Sequence, residues 1–317
     1  MKKSILVVIP SYKRYDQLLK GIFSLKSNKY DLFFIIVENS NDDVLFENIA
    51  KRISNYDNIK LLKGKNEGFA KSINFGVEYA EEIGLNFDYI LLLNDDAYAE
   101  DSALDFLVDE LEKHPDAVIA GPTIFFARRK NEVWSSGGYF CKITSTIRLL
   151  YKNKKIDEDK LINLKTESVD FVSGCVMLIK KEYWYSARGL NEKLNFYEED
   201  FEFCMRAKKS GYKILYVPYS IFYHDIDLTN DRINEFVYYN LARNYIKSRK
   251  EIFGKFYFYY SILTFLMLKT PFKIFRLLRS NKPLKFKLNI MTSWFVGFLD
   301  GLFFENKKKK VKPCVKE

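Results

Sequence analysis

The chain has 317 residues, 48% of them apolar, enough for one large domain or two smaller ones with a globular core. Its net charge of +10 is uneven: residues 241–317 carry 18 Lys/Arg against 4 Asp/Glu, and the first 240 carry 33 against 37, so a mildly acidic body bears a basic tail that points to an anionic partner. Cys141, Cys175, Cys204 and Cys314 are scattered without a CxxC spacing, which excludes a zinc site or a disulfide framework as the organising principle.

The amino terminus opens with Lys2-Lys3 and an apolar run, Ile5–Ile9, that is too short for a signal-peptide core and ends at Pro10-Ser11. It reads as a first strand, with the body remaining in the cytoplasm. Further strands are predicted at Leu32–Val37, Ile59–Leu62, Tyr89–Leu93 and Ala117–Ala120. Between them, stripes at Leu18/Leu19/Ile22/Phe23/Leu25, Ala70/Ile73/Val77/Ala80 and Leu104/Leu107/Val108/Leu111 predict helices. This alternation predicts an α/β body with a mainly parallel sheet flanked by helices.

Residues 121–168 are less regular, with loop or hairpin signals at Arg128-Arg129-Lys130 and Ser136-Gly137-Gly138. Val169–Ile179 reads as one strand interrupted by Gly174, Glu198–Lys209 as a helix stopped by Gly211, and Tyr212–Val217 as a strand ended by Pro218. The body is expected to end near residue 240.

In the tail, Phe256–Leu268 is free of charge, but a helix of that length spans only about 20 Å against a hydrocarbon thickness of about 30 Å. Lysines and arginines from Lys269 to Lys287 then interleave with Phe272, Ile274, Phe275, Leu277, Leu278 and Phe286, and Lys307–Lys310 close the basic set. Aromatic-rich apolar faces beside cations predict helices lying in an anionic membrane interface. A helical appendage packed on the body, or an oligomer contact, is the alternative. Nucleic acid is not expected as a partner, because the body is net negative.

The apolar strand Tyr89–Leu93 runs straight into Asn94-Asp95-Asp96. Carboxylates at the carboxyl end of such a strand emerge where open α/β sheets bind ligands. Adjacent carboxylates repel unless a cation lies between them, and hard divalent ions choose oxygen. A solvated acidic turn is the ordinary alternative.

Other constellations stand in order around it: Val8-Ile-Pro-Ser-Tyr-Lys-Arg14, Val37-Glu-Asn-Ser-Asn-Asp42, Asn66-Glu-Gly-Phe-Ala70 with Asn74 and Gly76, Val172-Ser-Gly-Cys-Val-Met177, Tyr197-Glu-Glu-Asp200, and Tyr216-Val-Pro218 leading to His224. Their order and spacing resemble the family 2 inverting glycosyltransferases of GT-A fold, most closely the rhamnosyltransferase type of bacterial surface polysaccharide synthesis. The resemblance covers about residues 4–225 and the segment holding Arg243-Asn244. It implies a GT-A catalytic domain over residues 1–240, with residues 241–317 a membrane-associating helical extension. It further implies a nucleotide-diphosphate sugar donor, a glycan or lipid-linked acceptor, and a divalent cation, Mn2+ or Mg2+.

Residue by residue, the resemblance implies that Pro10, Ser11 and Arg14 cup the donor nucleotide. Glu38 stands where the family has an Asp holding the base. Asn66, Gly68 and Asn74 belong to the donor-side loop and helix; a glycine there allows close backbone approach, and a helix amino terminus favours phosphate. Asn94 replaces the first acid of the family's Asp-X-Asp motif. Asp96 matches its principal metal position, Asp95 assists at metal or donor, and His224 completes the metal shell. Asp200 matches the general base, with Glu199 the runner-up. Successive helical residues point about 100° apart, so one of the two faces the site. Trp134, Trp184 and Tyr197 are candidates for the acceptor cleft or for the core. His114, before Pro115, reads as structural.

A nucleotidyltransferase would want a Gly-rich phosphate loop after the first strand, and a dinucleotide oxidoreductase a GxGxxG; Pro10-Ser-Tyr-Lys-Arg14 is neither. A non-catalytic membrane- or nucleic-acid-binding protein using its basic tail is the alternative of another class.

Overall fold

The computed structural model describes residues 2–226 and 234–303. Lys307–Lys310 and Cys314 lie outside the described residues. The body begins with β1 (Ser4–Ser11), α1 (Tyr15–Ser24), β2 (Asp31–Glu38), α2 (Asp43–Ile53), β3 (Ile59–Lys63), α3 (Phe69–Glu82) and β4 (Tyr89–Leu93). There follow β5 (Ala97–Ala99), α4 (Ala103–Lys113), β6 (Ala117–Phe126), β7 (Val133–Ser135), β8 (Gly138–Cys141) and β9 (Thr146–Leu149). Next come α5 (Glu158–Ile162), β10 (Glu167–Val169), β11 (Val176–Lys180), α6 (Lys181–Ala187), α7 (Glu199–Lys209) and β12 (Lys213–His224). The rest is helical: α8 (Glu235–Ile252), α9 (Lys255–Thr264), a π-helical turn at Phe265–Lys269, α10 (Thr270–Leu278) and α11 (Leu284–Phe303).

The main sheet runs β10-β12-β6-β11-β4-β1-β2-β3, with β5 on β12 and β7 on β6. The β1–β4 strands pair in parallel, whereas β11 is antiparallel to both β4 and β6. The sheet is therefore mixed, the arrangement expected of a GT-A nucleotide-binding sheet, with the parallel run confined to β1–β4 and to β6 with β12. Side chains alternate between two cores, as the pleat requires. Ile5, Val7, Leu91 and Leu93 pack toward α1 and α4, while Leu6, Val8, Ile90 and Leu92 pack toward α3, α6 and α7. The carboxyl ends of β1, β2, β4 and β12 share one edge with the start of β11, and every acidic candidate stands there.

Two expectations are corrected. Val169–Ile179 is not one strand: β10 pairs with β12 at the sheet edge, β11 lies between β6 and β4, and residues 170–175 carry the chain across. Nor does Pro218 end β12. The strand absorbs the proline in a register shift between Val217 and Ile221, and the Pro218 carbonyl accepts a hydrogen bond from Thr123 Oγ1 at 2.8 Å. That continuation delivers His224 to the active edge.

The tail has a core of its own. The Phe265 ring stacks on Trp294 and Phe298 at centroid distances of 4.8 and 4.7 Å. Gly297 lets α11 press on α8: a Cβ there would stand 2.2 Å from the Tyr239 carbonyl oxygen. The residue 240/241 boundary falls inside α8. The outer face of the tail is apolar and open, with Phe256 87% and Phe272 63% exposed. Among the described residues no helix is long and apolar enough to cross a membrane.

Candidate active site

The donor-side walls are tied together by one amide. Asn39 donates from Nδ2 to the carbonyls of Val37 and Ser11, at 2.8 and 3.3 Å, and accepts at Oδ1 from the Asn66 amide and Ser72 Oγ. The ends of β1 and β2 and the approach to α3 are thus locked, with Asn66 in the left-handed region at φ 49°. Glu38, at the end of β2, accepts the Ser40 amide at 2.7 Å through Oε1, while its buried Oε2 and the buried Ser11 Oγ have no partner. Buried polar atoms without partners are rare and mark places where a ligand completes the hydrogen bonding. Pro10 and Ser11 lie within β1, in register with Val37 and Glu38.

Two of the donor-side residues have protein partners. Gly68 (φ +124°) does allow a close backbone approach, but the visitor is Asn195, whose carbonyl oxygen stands 2.6 Å from where a Cβ would be. The same oxygen accepts the Phe69 amide at 2.8 Å, so one first-turn amide of α3 is taken by protein. Asn74 spends its amide on the Leu190 carbonyl, the Leu190 amide and Glu192, at 2.9 to 3.0 Å, and so positions the loop before the acidic motif.

At the strand end, Asp95 and Asp96 are both buried. The Tyr12 amide donates to Asp95 Oδ2 at 3.0 Å, and Arg14 bridges the pair, contacting Asp95 Oδ1 at 3.3 Å and Asp96 Oδ2 more closely. His224 Nε2 lies 2.8 Å from Asp96 Oδ1, within ion-pair range but off the alignment of a hydrogen bond; that oxygen and the buried His224 Nδ1 have no hydrogen-bond partner. Burial pushes Asp95 up despite Arg14. Burial acts on Asp96 in the same sense, but His224 and Arg14 outweigh it and hold Asp96 below the usual carboxylate range. Asn94 contributes its backbone, donating to the Cys175 carbonyl at 2.9 Å and accepting from Ala97. The Trp134 ring meets His224 edge-on at 4.3 Å.

Across residues 173–175 stands α7. Asp200 accepts the Gly174 amide at 3.0 Å through Oδ2 and the Phe201 amide at 2.8 Å through Oδ1. Gly174 permits this approach, since a Cβ there would already touch Asp200 Cβ at 3.2 Å. Burial raises the Asp200 carboxyl to about 6 against the amide hydrogen bonds, which favour its charge. Glu199 is also buried, its Oε2 has no partner, and burial plus the adjacent Asp200 push it well above the carboxylate range. Burial thus disfavours the charged form of Glu199 more strongly than that of Asp200. Trp184 is buried in the core, so it lines no cleft. His114 Nδ1 donates to the Glu110 carbonyl, 2.9 Å away, in a structural role.

Sequence reasoning missed the clamp that holds this acidic turn. Tyr197 and Glu198 are consecutive left-handed residues, at φ 69° and 71°, a conformation that costs non-glycine residues free energy. Asn244 of α8 donates to the carbonyls of Leu194, Phe196 and Tyr197 at 2.7 to 3.2 Å. Arg249, 1% exposed, pairs with Glu198 and lies over the rings of Tyr245 and Phe201 at 4.1 and 4.3 Å. Such partners lie about fifty residues away, and no local pattern announces them.

Comparison with known proteins agrees with this arrangement. A glucosyl-dolichyl phosphate glucuronosyltransferase of Haloferax volcanii is 29% identical over 144 residues, 44% of each chain, so the matched part is less than half of that relative. The rhamnosyltransferase WbbL of Escherichia coli is 25% identical over 219 residues, 68% of this chain and 80% of that one. The low-salt glycan biosynthesis hexosyltransferase Agl10 of Haloferax volcanii is 25% identical over 260 residues, 80% of this chain and 78% of its own. Among solved structures, GalNAc-T7 with UDP, GalNAc and Mn2+ superposes with a TM-score of 0.63 at 16% identity, covering 95% of this chain and 56% of that one, a likeness of fold. The profile described as glycosyltransferase like family 2 matches residues 3–245, which include every acidic group just described, and the chain belongs to that family.

Proposed function

We propose that the protein transfers a sugar from a nucleotide-diphosphate donor to a hydroxyl of a glycan or lipid-linked acceptor, with inversion, in cell-surface polysaccharide synthesis. The observation that carries this reading is Asp200: a partly buried carboxylate fixed by two backbone amides, its pKa raised to about 6, across residues 173–175 from the Asp95–Asp96–His224 group. A base poised near the working pH takes the acceptor hydroxyl proton as the oxygen forms its bond to the anomeric carbon. The bond from that carbon to the diphosphate breaks, and the diphosphate departs with the electron pair. Glu199, whose charged form burial and Asp200 disfavour, is the poorer base.

Among the described residues no group of three or more His, Cys, Asp or Glu stands ready to hold a metal. Asp96 Oδ1 and His224 Nε2 nevertheless converge without a well-aligned hydrogen bond, as two electron-pair donors around a cation would. Arg14 supplies positive charge at the same carboxylates. These donors fit a divalent cation, Mn2+ or Mg2+, held by Asp96 and His224 with Asp95 in support. Such an ion neutralises charge on a departing diphosphate. Arg14, released from the carboxylates, is then placed to pair with donor phosphate, and Glu38 Oε2 and Ser11 Oγ to accept and donate at the nucleoside.

The basic, apolar outer face of the tail supports attachment to an anionic membrane surface, at its cytoplasmic side, near a lipid-linked acceptor. The test of the chemistry is Asp200→Asn: transfer should fall by about 10²–10⁴-fold while nucleotide-sugar binding, read by calorimetry, persists. Full transfer by that variant overturns the assignment.

A further inference from the structure

The loop after β1 engages three of the four carboxylate oxygens at the end of β4. Asp95 Oδ2 takes the Tyr12 amide at 3.0 Å, and Asp95 Oδ1 and Asp96 Oδ2 both face Arg14 Nη1, the first at 3.3 Å. Asp96 Oδ1, opposite His224 Nε2, is the one oxygen of the four with no hydrogen-bond partner among the described residues. The backbone of Arg14 is fixed: it is the N-cap of α1, its carbonyl accepts the Leu18 amide at 3.0 Å, and Lys13 before it is left-handed at φ 57°. Its side chain is 44% exposed, whereas those of Asp95 and Asp96 are 10% and 2% exposed. Both contacts run through a single nitrogen rather than through the parallel fork by which arginine holds a carboxylate most firmly. A long side chain on the solvent side of two fixed carboxylates can swing away without moving the sheet.

A guanidinium in that place competes with a divalent ion. Hard ions take about six donors, and with Arg14 on the pair Asp96 Oδ1 and His224 Nε2 are what this strand end still offers. Two cations at the same acids also repel, and burial of the acids leaves little water to screen them. A diphosphate changes the balance, because it carries negative charge for both: it bridges the ion and accepts several hydrogen bonds from a guanidinium. A ligand shifts an equilibrium between two positions only through its different affinity for them. Here the ion and the diphosphate favour the same position of Arg14, away from the carboxylates, so each should promote the other's binding.

We propose that Arg14 is a two-position cation: it closes the Asp95–Asp96 pair to a lone divalent ion and opens it when a diphosphate draws the guanidinium away. Metal and donor then enter the site together, and the ion is held weakly until the donor arrives. The proposal rests on the metal and donor reading above and adds to it the control of metal affinity by a residue of this chain.

The experiment is calorimetric titration of the full chain with MnCl2 alone and, separately, with inorganic pyrophosphate in metal-free buffer. Arg14→Gln should bind Mn2+ at least about tenfold more tightly than the natural chain, and pyrophosphate at least about tenfold more weakly. Opposite signs for the two ligands are the signature, because an arginine that serves only the fold would weaken both when lost. The rise in thermal midpoint on adding Mn2+ should likewise be larger in the variant. Adding Asp96→Ala to Arg14→Gln should remove the gained Mn2+ affinity, and a gain that survives it lies elsewhere and overturns the proposal. Arg14→Met, a second uncharged replacement, repeats the test should the glutamine variant fold poorly. Equal Mn2+ affinity with and without Arg14, the absence of measurable binding in both included, overturns the proposal, as does loss of affinity for both ligands. Because no transfer is read, such a failure leaves the Asp200→Asn result to stand or fall on its own.

Discussion

The body and the tail use the same residue types to opposite ends. In the sheet, Leu6, Val8, Leu91 and Leu92 are fully buried and close two cores. In the tail, Phe265, Trp294 and Phe298 close a small core while Phe256, Met267 and Phe272 face outward. Charge is divided the same way. The body sets its buried carboxylates against amides, Arg14 and His224; the tail sets its buried cations against aromatic faces. The sheet strands bury their apolar side chains on both faces, whereas the tail helices leave a row of theirs exposed. The α8 helix joins them, since Asn244 and Arg249 belong to the helical region and their partners to the acidic turn.

The largest expected effect belongs to the body. Asp200→Asn should lower transfer by about 10²–10⁴-fold, measured with purified acceptor. The same substitution should stabilise the fold. The native state holds this proton up to about pH 6 and the unfolded chain only to the ordinary 3.8, so stability contributed by the protonated form is present below pH 4 and lost as pH rises to 6. At pH 8 the variant should gain up to about 3 kcal/mol in urea denaturation. A loss of stability there would show that the two amide hydrogen bonds dominate over burial.

Next come contrasting truncations. Leu92→Ala in the sheet should cost about 2–5 kcal/mol. Arg249→Met should cost about 3 kcal/mol by leaving Glu198 without its partner, and adding Glu198→Gln should recover much of it. If the double variant is no better than the single, the ion pair is not what holds the turn. Below pH 6, kcat/KM should fall about tenfold per unit as Asp200 takes its proton, with no such limb in Asp200→Asn. The smallest effect on stability should come from Phe256→Ser and Phe272→Ser, within about 0.5 kcal/mol, yet both should weaken sedimentation with phosphatidylglycerol vesicles by about tenfold. A stability loss comparable to that of Leu92→Ala would erase the contrast between the regions.

Much of the body was legible because burial on both sides of a sheet writes continuous apolar runs such as Tyr89–Leu93, and helices such as α3 carry their stripe in every turn. The acidic strand end was legible for the same reason: Asn94–Asp96 interrupts a run that otherwise belongs in the core. What escaped reading was set by distant partners. Pro218 is tolerated because β12 shifts register against β6, which the residues around it do not reveal. Gly68 signalled a close approach, but a glycine does not say who approaches, and the answer was Asn195. Asn74 looked like a ligand because amides serve loops and substrates alike. Arg249 gave no local sign of Glu198, fifty-one positions earlier.

The course of α8 bears on how such proteins can exchange parts. A tail grafted from a relative at the visible change in composition, near residue 240, would carry off Asn244 and Arg249 and leave the left-handed turn at Tyr197–Glu198 to an unfamiliar clamp. A graft made after Ile252 would leave the clamp with its own turn, provided that the grafted helices keep the contacts of Phe265, Trp294, Gly297 and Phe298 with α8. Inheritance of a new attachment surface without loss of chemistry therefore has a narrow seam in this chain, and it lies at the end of a helix rather than where the charge changes sign.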